Sequence, residues 1–261
     1  MGIVNVTPDS FSDAGRFASA EEAVLAAREM LADGAAIVDV GGESTRPGSA
    51  GVTLDEELRR VVPVLEGLAG APVSVDTAKA EVARRAVALG AELVNDVTAL
   101  RGDPAMAGVV ADSGAYLCLM HMQGEPRTMQ HTPRYDDVVS EVAAFLEERL
   151  AVAVDRGIPE DRVCLDPGIG FGKTADQNLE LVRGLGTLVA LGRPVVIGLS
   201  RKSTIGKALG DPGATRGSVE GSVGAAVAAF DRGAAIFRVH DVREHVEALA
   251  LAAAVESGAI A

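Results

Sequence analysis

Short apolar runs alternate with longer helical patterns along the 261 residues, and this alternation predicts an α/β chain folded as a TIM (β/α)8 barrel. Several of the runs are almost continuous Val, Ile and Leu, which is typical of parallel strands that are buried on both faces. Many helical patterns end in glycine just before the next run, as expected for a helix C-cap. The alternative fold with the same alternation is a doubly wound open sheet.

The predicted elements follow one another in order. The strands are expected at 3–6, 36–40, 72–75, 93–97, 115–120, 163–165, 194–199 and 235–239. The helices are expected at 20–33, 55–69, 79–89, 104–113, 136–156, 177–191, 218–232 and 242–257, and Gly217, Gly221 and Gly224 are poor formers of the seventh. No linker, low-complexity tract or shift in composition interrupts the series, so we expect a single domain over residues 1–261.

Composition limits the classes of protein that fit. The formal net charge of −13 argues against nucleic acid as the main partner, because such binding needs a basic face. Aromatic residues make up only 3% of the chain, so the core is expected to consist of Ala, Val, Leu and Ile. No apolar stretch has the length of a membrane span and no signal peptide is visible, so we expect no membrane contact and a cytoplasmic enzyme. Cys118 and Cys164 lie in apolar runs and are expected to be buried hydrophobic residues rather than a disulfide or metal pair.

Polar residues follow every predicted strand, which is where a barrel of this type places its catalytic groups. The segments are NVTPDSFSD, DVGGESTRPG, SVDT, VNDV, LMHMQG, LDPGIGFGK, GLSRKS and RVHDV. Two carboxylates and a carboxamide follow strands 3, 4 and 6, namely Asp76, Asp166 and Asn95. They suit the polar edge of a flat heterocycle and equally a general acid–base pair, and the residues alone do not separate these roles. Asp96, Asp103 and Asp241 have the alternative role of turn formers or helix N-caps.

Cationic residues also gather at the strand ends, namely Arg46, Arg201, Lys202, Arg238 and His240. Arginine binds phosphate through two parallel N–H groups, and lysine binds it as a point charge. The segments GGESTRPG and RKSTIG add hydroxyls and backbone N–H groups at a helix start. In an otherwise acidic chain, this set predicts a phosphate or diphosphate site.

The glycine-rich segment GIGFGK matches neither a Walker A motif nor a Rossmann fingerprint. Phe171 stands alone among its glycines, and Phe11 lies in the polar loop after strand 1. Both rings are expected to close over an aromatic ligand. Zinc-ligand spacings and a nucleophile elbow are absent from the sequence, so covalent catalysis is not favoured.

The strand-end segments together resemble those of the dihydropteroate synthase family. The matching segments are MGIVNVTPDSFSD, GGESTRPG, SVDT, VNDV, MHMQG, LDPGIGFGK, SRKS and RVHDV, in the family order and over nearly the whole chain. The resemblance implies a TIM barrel, usually a homodimer, that joins 6-hydroxymethyl-7,8-dihydropterin diphosphate to p-aminobenzoate in folate biosynthesis. It also implies Mg²⁺ as cofactor, diphosphate as leaving group, and sulfonamides as competitors of p-aminobenzoate.

The same resemblance implies a role for residues of each subsite. The pterin-binding residues are Asp76, Asn95, Asp166 and Lys202. The diphosphate-binding residues are Asn5, Thr45, Arg238 and His240, with Asn5 also the ligand to Mg²⁺. The aminobenzoate-binding residues are Phe11, Arg46, Pro47, Phe171 and Ser203. The catalytic residues are Asp13, Asp76, Asp166 and Lys202, and their three carboxylates are expected to stabilise a pterin cation after diphosphate has left.

Two other functions stay open at this point. A methyltransferase acting on methyl-tetrahydrofolate shares the pterin carboxylates but does not need STRPG, SRKS and RVHDV as a basic rim. A catalytically silent pterin-binding paralogue is disfavoured by the intact cationic residues and Asn5. The opening loop departs from the family at Ala14, where glycine is usual.

Overall fold

The computed structural model describes residues 1–6, 19–44, 49, 51–124 and 128–258. Within these ranges the strands are β1 (Gly2–Asn5), β2 (Val38–Gly41), β3 (Val73–Asp76), β4 (Leu93–Asp96), β5 (Tyr116–Met120), β6 (Val163–Asp166), β7 (Val196–Ile197) and β8 (Ile236–Phe237). The helices are α1 (Ala20–Ala32), α2 (Leu54–Gly67), α3 (Ala80–Ala88), α4 (Met106–Ser113), α5 (Val138–Asp155), α6 (Ala175–Arg183), α7 (Leu185–Val189), α8 (Ser203–Ala208), α9 (Val219–Phe230) and α10 (Val242–Ser257).

The strands are parallel and close into a ring. Strands β1 to β6 pair in chain order, and β7 pairs with β8. The Leu165 N–H donates to the Pro194 carbonyl at 2.9 Å, which joins β6 to the chain entering β7. The Ile3 N–H donates to the Val239 carbonyl at 3.0 Å, which joins β1 to the chain leaving β8. The predicted barrel is confirmed, and the doubly wound open sheet is excluded.

Side-chain caps start many of the helices. The hydroxyls of Ser19, Thr53, Thr174 and Ser218 and the carboxylate of Asp137 accept hydrogen bonds from N–H groups of the following first turn. Each such cap contributes about 1 kcal/mol by satisfying a donor that the helix leaves free. These polar residues therefore set where each helix begins on the outside of the ring.

Two parts of the barrel differ from the prediction. Strands β7 and β8 are shorter than the predicted 194–199 and 235–239, because pairing beyond them continues only as single bridges at Val195 and Val239. The helix predicted at 177–191 is two helices. Gly184 separates them, at a point where a Cβ would lie 2.8 Å from Val139 Cγ2 of α5.

Close packing also explains the region after β7. Helix α8 is not among the eight helices predicted from the pattern, although RKSTIG was expected at a helix start, and it lies directly against α9. A Cβ at Gly221 of α9 would lie 2.3 Å from Ile205 Cγ2 of α8, so the contact requires glycine. The glycines that weaken this segment as an isolated helix thus allow it to pack, and α9 forms as predicted.

The core is aliphatic, as the composition predicts. Val4, Val40 and Val75 of neighbouring strands are fully buried, and in the described part of the chain none of the buried hydrophobic core residues is aromatic. Cys118 and Cys164 are free and buried, as expected, although the register of β5 and β6 makes them direct neighbours. None of the described helices combines the length and apolar character that crossing a membrane requires.

Candidate active site

A row of polar residues crosses the carboxyl end of the barrel. In parallel register Asn5 pairs with Gly41, Gly41 with Asp76, and Asp76 with Asn95. Gly41 leaves room between its polar neighbours, since a Cβ there would lie 3.3 Å from the Cβ of Asp76 and 3.6 Å from Oδ1 of Asn5. The register of β1 to β4 therefore brings together three residues predicted separately from three strand ends.

Arg238 follows β8, which lies beside β1 in the closed ring, and its guanidinium contacts this row of polar residues. Its Nη2 donates to Asp76 Oδ2 at 2.7 Å, and its Nε donates to Asp39 Oδ2 at 2.6 Å. Burial lowers the pKa of Arg238, but the carboxylates of Asp39 and Asp76 outweigh this and raise the pKa above its ordinary value. The guanidinium is therefore a permanent positive charge held between two carboxylates.

Asp39 is a residue that the strand-end pattern misses, because it lies inside β2 and not after it. It is completely buried, and its Oδ2 also accepts a hydrogen bond from Asn95 Nδ2 at 3.0 Å. The available signal was a carboxylate within the apolar run AAIVDV, since a buried charge needs partners. Oδ1 of Asp39 and Oδ1 of Asn95 are buried without a hydrogen-bond partner among the described residues. These two free acceptors lie beside Asp76.

The carboxyl of Asp76 has a pKa close to neutral pH. The residue is 8% exposed, and burial raises the pKa of its carboxyl to about 7. Arg238 opposes this rise, and the nearby charge of Asp39 adds to it. Near neutral pH, Asp76 thus exists in both protonation states and becomes a strong acceptor when a ligand stabilises the ionised form.

A second charged pair lies at the ends of β6 and β7. Burial raises the pKa of the Asp166 carboxyl, and Lys202 opposes this rise. Burial lowers the pKa of Lys202 to about 8, and Asp166 opposes this fall. Lys202 Nζ donates to the carbonyl of Ile169 and lies 4.7 Å from the ring centroid of Phe171. The predicted residues Asp166, Lys202 and Phe171 are therefore close together.

The turn before α8 is fixed by side chains. Arg201 has a positive φ of 58°, and its guanidinium pairs with Asp241, with Nε 2.8 Å from Oδ2. Its backbone N–H donates to Ser222 Oγ at 2.9 Å. Arg201, grouped from the sequence with the anion-binding cations, instead anchors this turn. Ser203 is the first residue of α8 and is partly buried.

His240 follows β8 and is partly buried. Its Nδ1 lies 3.1 Å from Ser200 Oγ, and its backbone N–H donates to the same oxygen at 3.2 Å. Ser200 thus connects the turn after β7 to the residue after β8. This contact places the imidazole at the same end of the barrel as Arg238, as predicted.

A buried ion pair supports the start of the loop after β2. Glu57 of α2 is completely buried, and its Oε2 lies 2.5 Å from Lys79 Nζ. Lys79 also pairs with Glu43, and Thr77 donates to Glu57 Oε1 at 2.6 Å. Glu43, which follows β2, is thereby tied to the segment after β3, a contact that the sequence pattern did not predict.

Two aspartates have the alternative role that was left open. Asp96 Oδ1 accepts from the Thr98 N–H at 2.8 Å and Oδ2 accepts from the Leu100 N–H at 2.7 Å, so it forms a turn. Asp103 Oδ2 accepts from the N–H of Ala80 at 2.9 Å, at the start of α3. Both carboxylates stabilise local structure.

Several predicted site residues lie outside the described residues, namely Phe11, Asp13, Thr45, Arg46 and Pro47, together with the variable position Ala14. Their roles stay predictions. Across the described ranges no group of three or more His, Cys, Asp and Glu side chains could hold a metal ion. Asn5 offers a carboxamide oxygen at the end of β1. This donor fits Mg²⁺, which takes one or two protein oxygens and completes its shell with water and substrate phosphate.

Comparison with known proteins points to one group. Residues 1–240 match the family model described as "Pterin binding enzyme". The chain is 47% identical over 252 residues to dihydropteroate synthase from Escherichia coli K12, covering 95% of this chain and 88% of that one. It superimposes on the Yersinia pestis dihydropteroate synthase solved with a sulfonamide drug, with a TM-score of 0.93, 45% identity, and 98% and 94% of the two chains covered. Against the Xanthomonas albilineans enzyme in complex with 7,8-dihydropteroate, the TM-score is 0.85 at 46% identity, with 98% and 93% covered.

Proposed function

The chain belongs to the dihydropteroate synthases of the pterin-binding enzyme family, and from this premise we propose a transferase that condenses 6-hydroxymethyl-7,8-dihydropterin diphosphate with p-aminobenzoate. The products are 7,8-dihydropteroate and diphosphate, and sulfonamides compete with p-aminobenzoate. The observation that carries the proposal is the row of buried acceptors beside Arg238. Such a row matches a flat ring with several N–H donors linked to an anionic leaving group.

The pterin ring is proposed to lie at the ends of β3, β4 and β6. Its amino and amide N–H groups would donate to Asp76, Asp166 and the free Oδ1 of Asn95. Lys202 would donate to a ring acceptor from the β7 side. A ring N–H that donates to Asn95 Oδ1 would satisfy an acceptor that no described residue satisfies, which favours a pterin over a ring without that N–H.

The diphosphate is proposed to contact Arg238 and His240 after β8, together with Asn5 and Thr45. The pKa of Arg238, raised by its two carboxylates, keeps this group cationic at any working pH. Asn5 would hold Mg²⁺, which neutralises charge on the leaving diphosphate. The oxygen donor of Asn5 and the resemblance to the family support Mg²⁺ at this position.

The aminobenzoate is proposed to bind beside the ring of Phe171 and the start of α8, where Ser203 lies. Phe11, Arg46 and Pro47 complete this subsite by resemblance. Phe171 is partly buried and packs against the buried residues Val97, Met120, Met122 and Met129. The contact with Lys202 gives the same ring a cationic neighbour.

The proposed order of the chemical steps is the one that membership of the family implies. The bond between the exocyclic carbon of the pterin and the diphosphate oxygen breaks first, and both electrons leave with diphosphate. Asp76 and Asp166, with Asp13, stabilise the resulting cation by their negative charge. The amine nitrogen of p-aminobenzoate then bonds to this carbon and loses a proton to water. No enzyme nucleophile is needed.

The direct test mixes the purified protein with both substrates and measures diphosphate release. We expect release that requires p-aminobenzoate and that stops when Mg²⁺ is chelated. Release without dependence on p-aminobenzoate contradicts the condensation. Pterin binding without any release under saturating Mg²⁺ identifies a silent paralogue.

A pair of variants locates the pterin site. D76A is expected to abolish pterin binding by calorimetry, whereas D112A removes an exposed carboxylate of α4 and leaves binding unchanged. Unchanged binding in D76A contradicts the site. The homodimer and the cytoplasmic location expected from the sequence stay predictions, and light scattering after gel filtration tests the first.

A further inference from the structure

The five residues 168–172, which we call the aromatic turn, carry Phe171 and have an uncommon pattern of hydrogen bonds. Every one of their carbonyls accepts from a side chain. In order along the turn the donors are Lys173 Nζ at 3.0 Å, Lys202 Nζ, Gln130 Nε2 at 2.5 Å, Lys173 Nζ again at 3.1 Å, and Tyr135 OH at 2.9 Å. Two of these bonds come from Lys173, which directly follows the turn, and the other three come from distant side chains of Gln130, Tyr135 and Lys202.

Lys173 supplies two of these five bonds and is only 2% exposed. Its third hydrogen-bond contact is His121 Nδ1, at 2.8 Å. Burial lowers the pKa of His121 to about 3, and the charges of Lys173 and Arg101 add to this. His121 is thus neutral and accepts from the lysine. Three acceptors match the three N–H bonds of an ammonium.

His121 is itself fixed, so it provides a firm acceptor. Its ring packs edge-on against Phe145 with centroids 4.8 Å apart, and its backbone N–H donates to the Asp166 carbonyl at 2.9 Å. Burial also lowers the pKa of Lys173 to about 7, and Asp166 opposes this fall. Through its contact with His121 and its bonds to two turn carbonyls, Lys173 connects the segment after β5 to the turn after β6.

The aromatic turn sits directly on the segment after β5. A Cβ at Gly168, where φ is 66°, would lie 1.8 Å from the His121 carbonyl oxygen. A Cβ at Gly172 would lie 2.4 Å from the Gln123 carbonyl oxygen. The turn is therefore closely packed on this segment, and we expect loss of the Lys173 bonds to displace it together with Phe171.

We propose that Lys173 is a positioning residue for p-aminobenzoate, which it serves by holding the aromatic turn and hence the ring of Phe171 in place. The inference rests on the proposed function, because Phe171 is assigned to the aminobenzoate side there. Lys173 touches neither substrate. It acts through the two turn carbonyls and through His121.

The test uses K173M, which keeps an unbranched side chain of similar volume and removes all three N–H donors. We expect KM for p-aminobenzoate to rise about tenfold, with kcat and the Kd of the pterin diphosphate changed less than about threefold. The control K207M removes an exposed lysine of α8 and is expected to leave all three constants unchanged. Wild-type turnover is measured first, so that failure of the proposed function is recognised separately.

A second pair of variants tests the acceptor. H121L removes the nitrogen that receives the lysine, and it is expected to raise KM for p-aminobenzoate several-fold. H121N places an amide oxygen close to the position of Nδ1 and is expected to restore KM to near the wild-type value. Thermal unfolding of each variant shows whether it is folded.

Three outcomes overturn the proposal. One is an unchanged KM for p-aminobenzoate in folded K173M. Another is an equal rise in the constants for both substrates, which indicates general disruption of the site. If K173M does not fold, H121L decides in its place by the same criteria, and failure of both to fold shows that the contact serves folding instead of positioning.

Discussion

Replacing Asp76 with asparagine is expected to stabilise the fold while it removes pterin binding. Burial raises the pKa of this carboxyl from 3.8 to about 7, so ionising it costs more in the folded protein than in the unfolded chain. The difference corresponds to about 4 kcal/mol at pH 8, where the folded protein holds the ionised form. Asparagine resembles the protonated acid in shape and carries no charge.

The sign of the pH dependence follows from the direction of the shift. A raised pKa means that the folded state binds the proton more tightly, so the stability of the wild-type protein falls as pH rises from about 4 to about 7. At pH 5 the folded protein is mostly protonated at Asp76, and the advantage of D76N is expected to shrink to about 2 kcal/mol. Urea unfolding at pH 5 and pH 8, followed by circular dichroism, measures both values.

D96N is the matched comparison, because Asp96 is also a buried carboxylate at the end of a neighbouring strand. Burial raises the pKa of this carboxyl too, but both of its oxygens accept backbone N–H bonds that oppose the rise, at 2.8 Å from Thr98 and 2.7 Å from Leu100. An asparagine has one acceptor oxygen, so D96N loses one of these bonds at a cost of about 1–3 kcal/mol, and it is expected to gain less stability than D76N at pH 8. The reasoning is refuted if D76N is no more stable than the wild type at pH 8, or if its advantage is the same at both pH values.

Two further substitutions test the aromatic turn and the guanidinium of Arg238, which contacts both Asp39 and Asp76. G168A is expected to cost about 3 kcal/mol or more, because a Cβ overlaps the His121 carbonyl and φ is positive. G70A, which has φ of 80° and open space around it, is expected to lose only about 1 kcal/mol in the same urea titration, and equal losses would contradict the overlap argument. R238M is expected to cost about 3–5 kcal/mol at pH 8, because it leaves two buried carboxylates without their cation. The loss is expected to be smaller at pH 5, where one of them protonates, and a loss independent of pH would refute this account.

The sequence predicts the barrel and the rim of the site for one physical reason. Parallel strands in a closed ring all end on the same side, so residues as distant in the chain as Asn5, Asp76 and Asp166 can be assigned to one place before any contact is known. Their register then decides which of them touch. That information is not in the local pattern, since it depends on how β1 to β4 align.

Other features depend on contacts that local patterns do not encode. Asp39 lies inside β2, and the apolar run around it marks it only as a buried carboxylate, whereas its bond to Arg238 depends on the closure of the ring. Lys173 meets a histidine 52 residues away, and Gly172 meets a tyrosine 37 residues away. The break at Gly184 reflects the approach of another helix. In each case, tertiary packing decides the outcome.

The aromatic turn has the composition of a flexible linker, with three glycines in five residues. Its side-chain hydrogen bonds nevertheless hold it rigidly. Glycine raises the entropy of the unfolded chain, which favours movement. Here local opening has to break the bonds to Gln130, Tyr135 and Lys202, each worth about 1 kcal/mol, and to separate Lys173 from His121. Amide exchange of this segment should therefore approach the slow rates of the strands beside it. For inhibitor design, the ring of Phe171 has a fixed position. Compounds should therefore be shaped to fit against it, since the turn will not move to accommodate them.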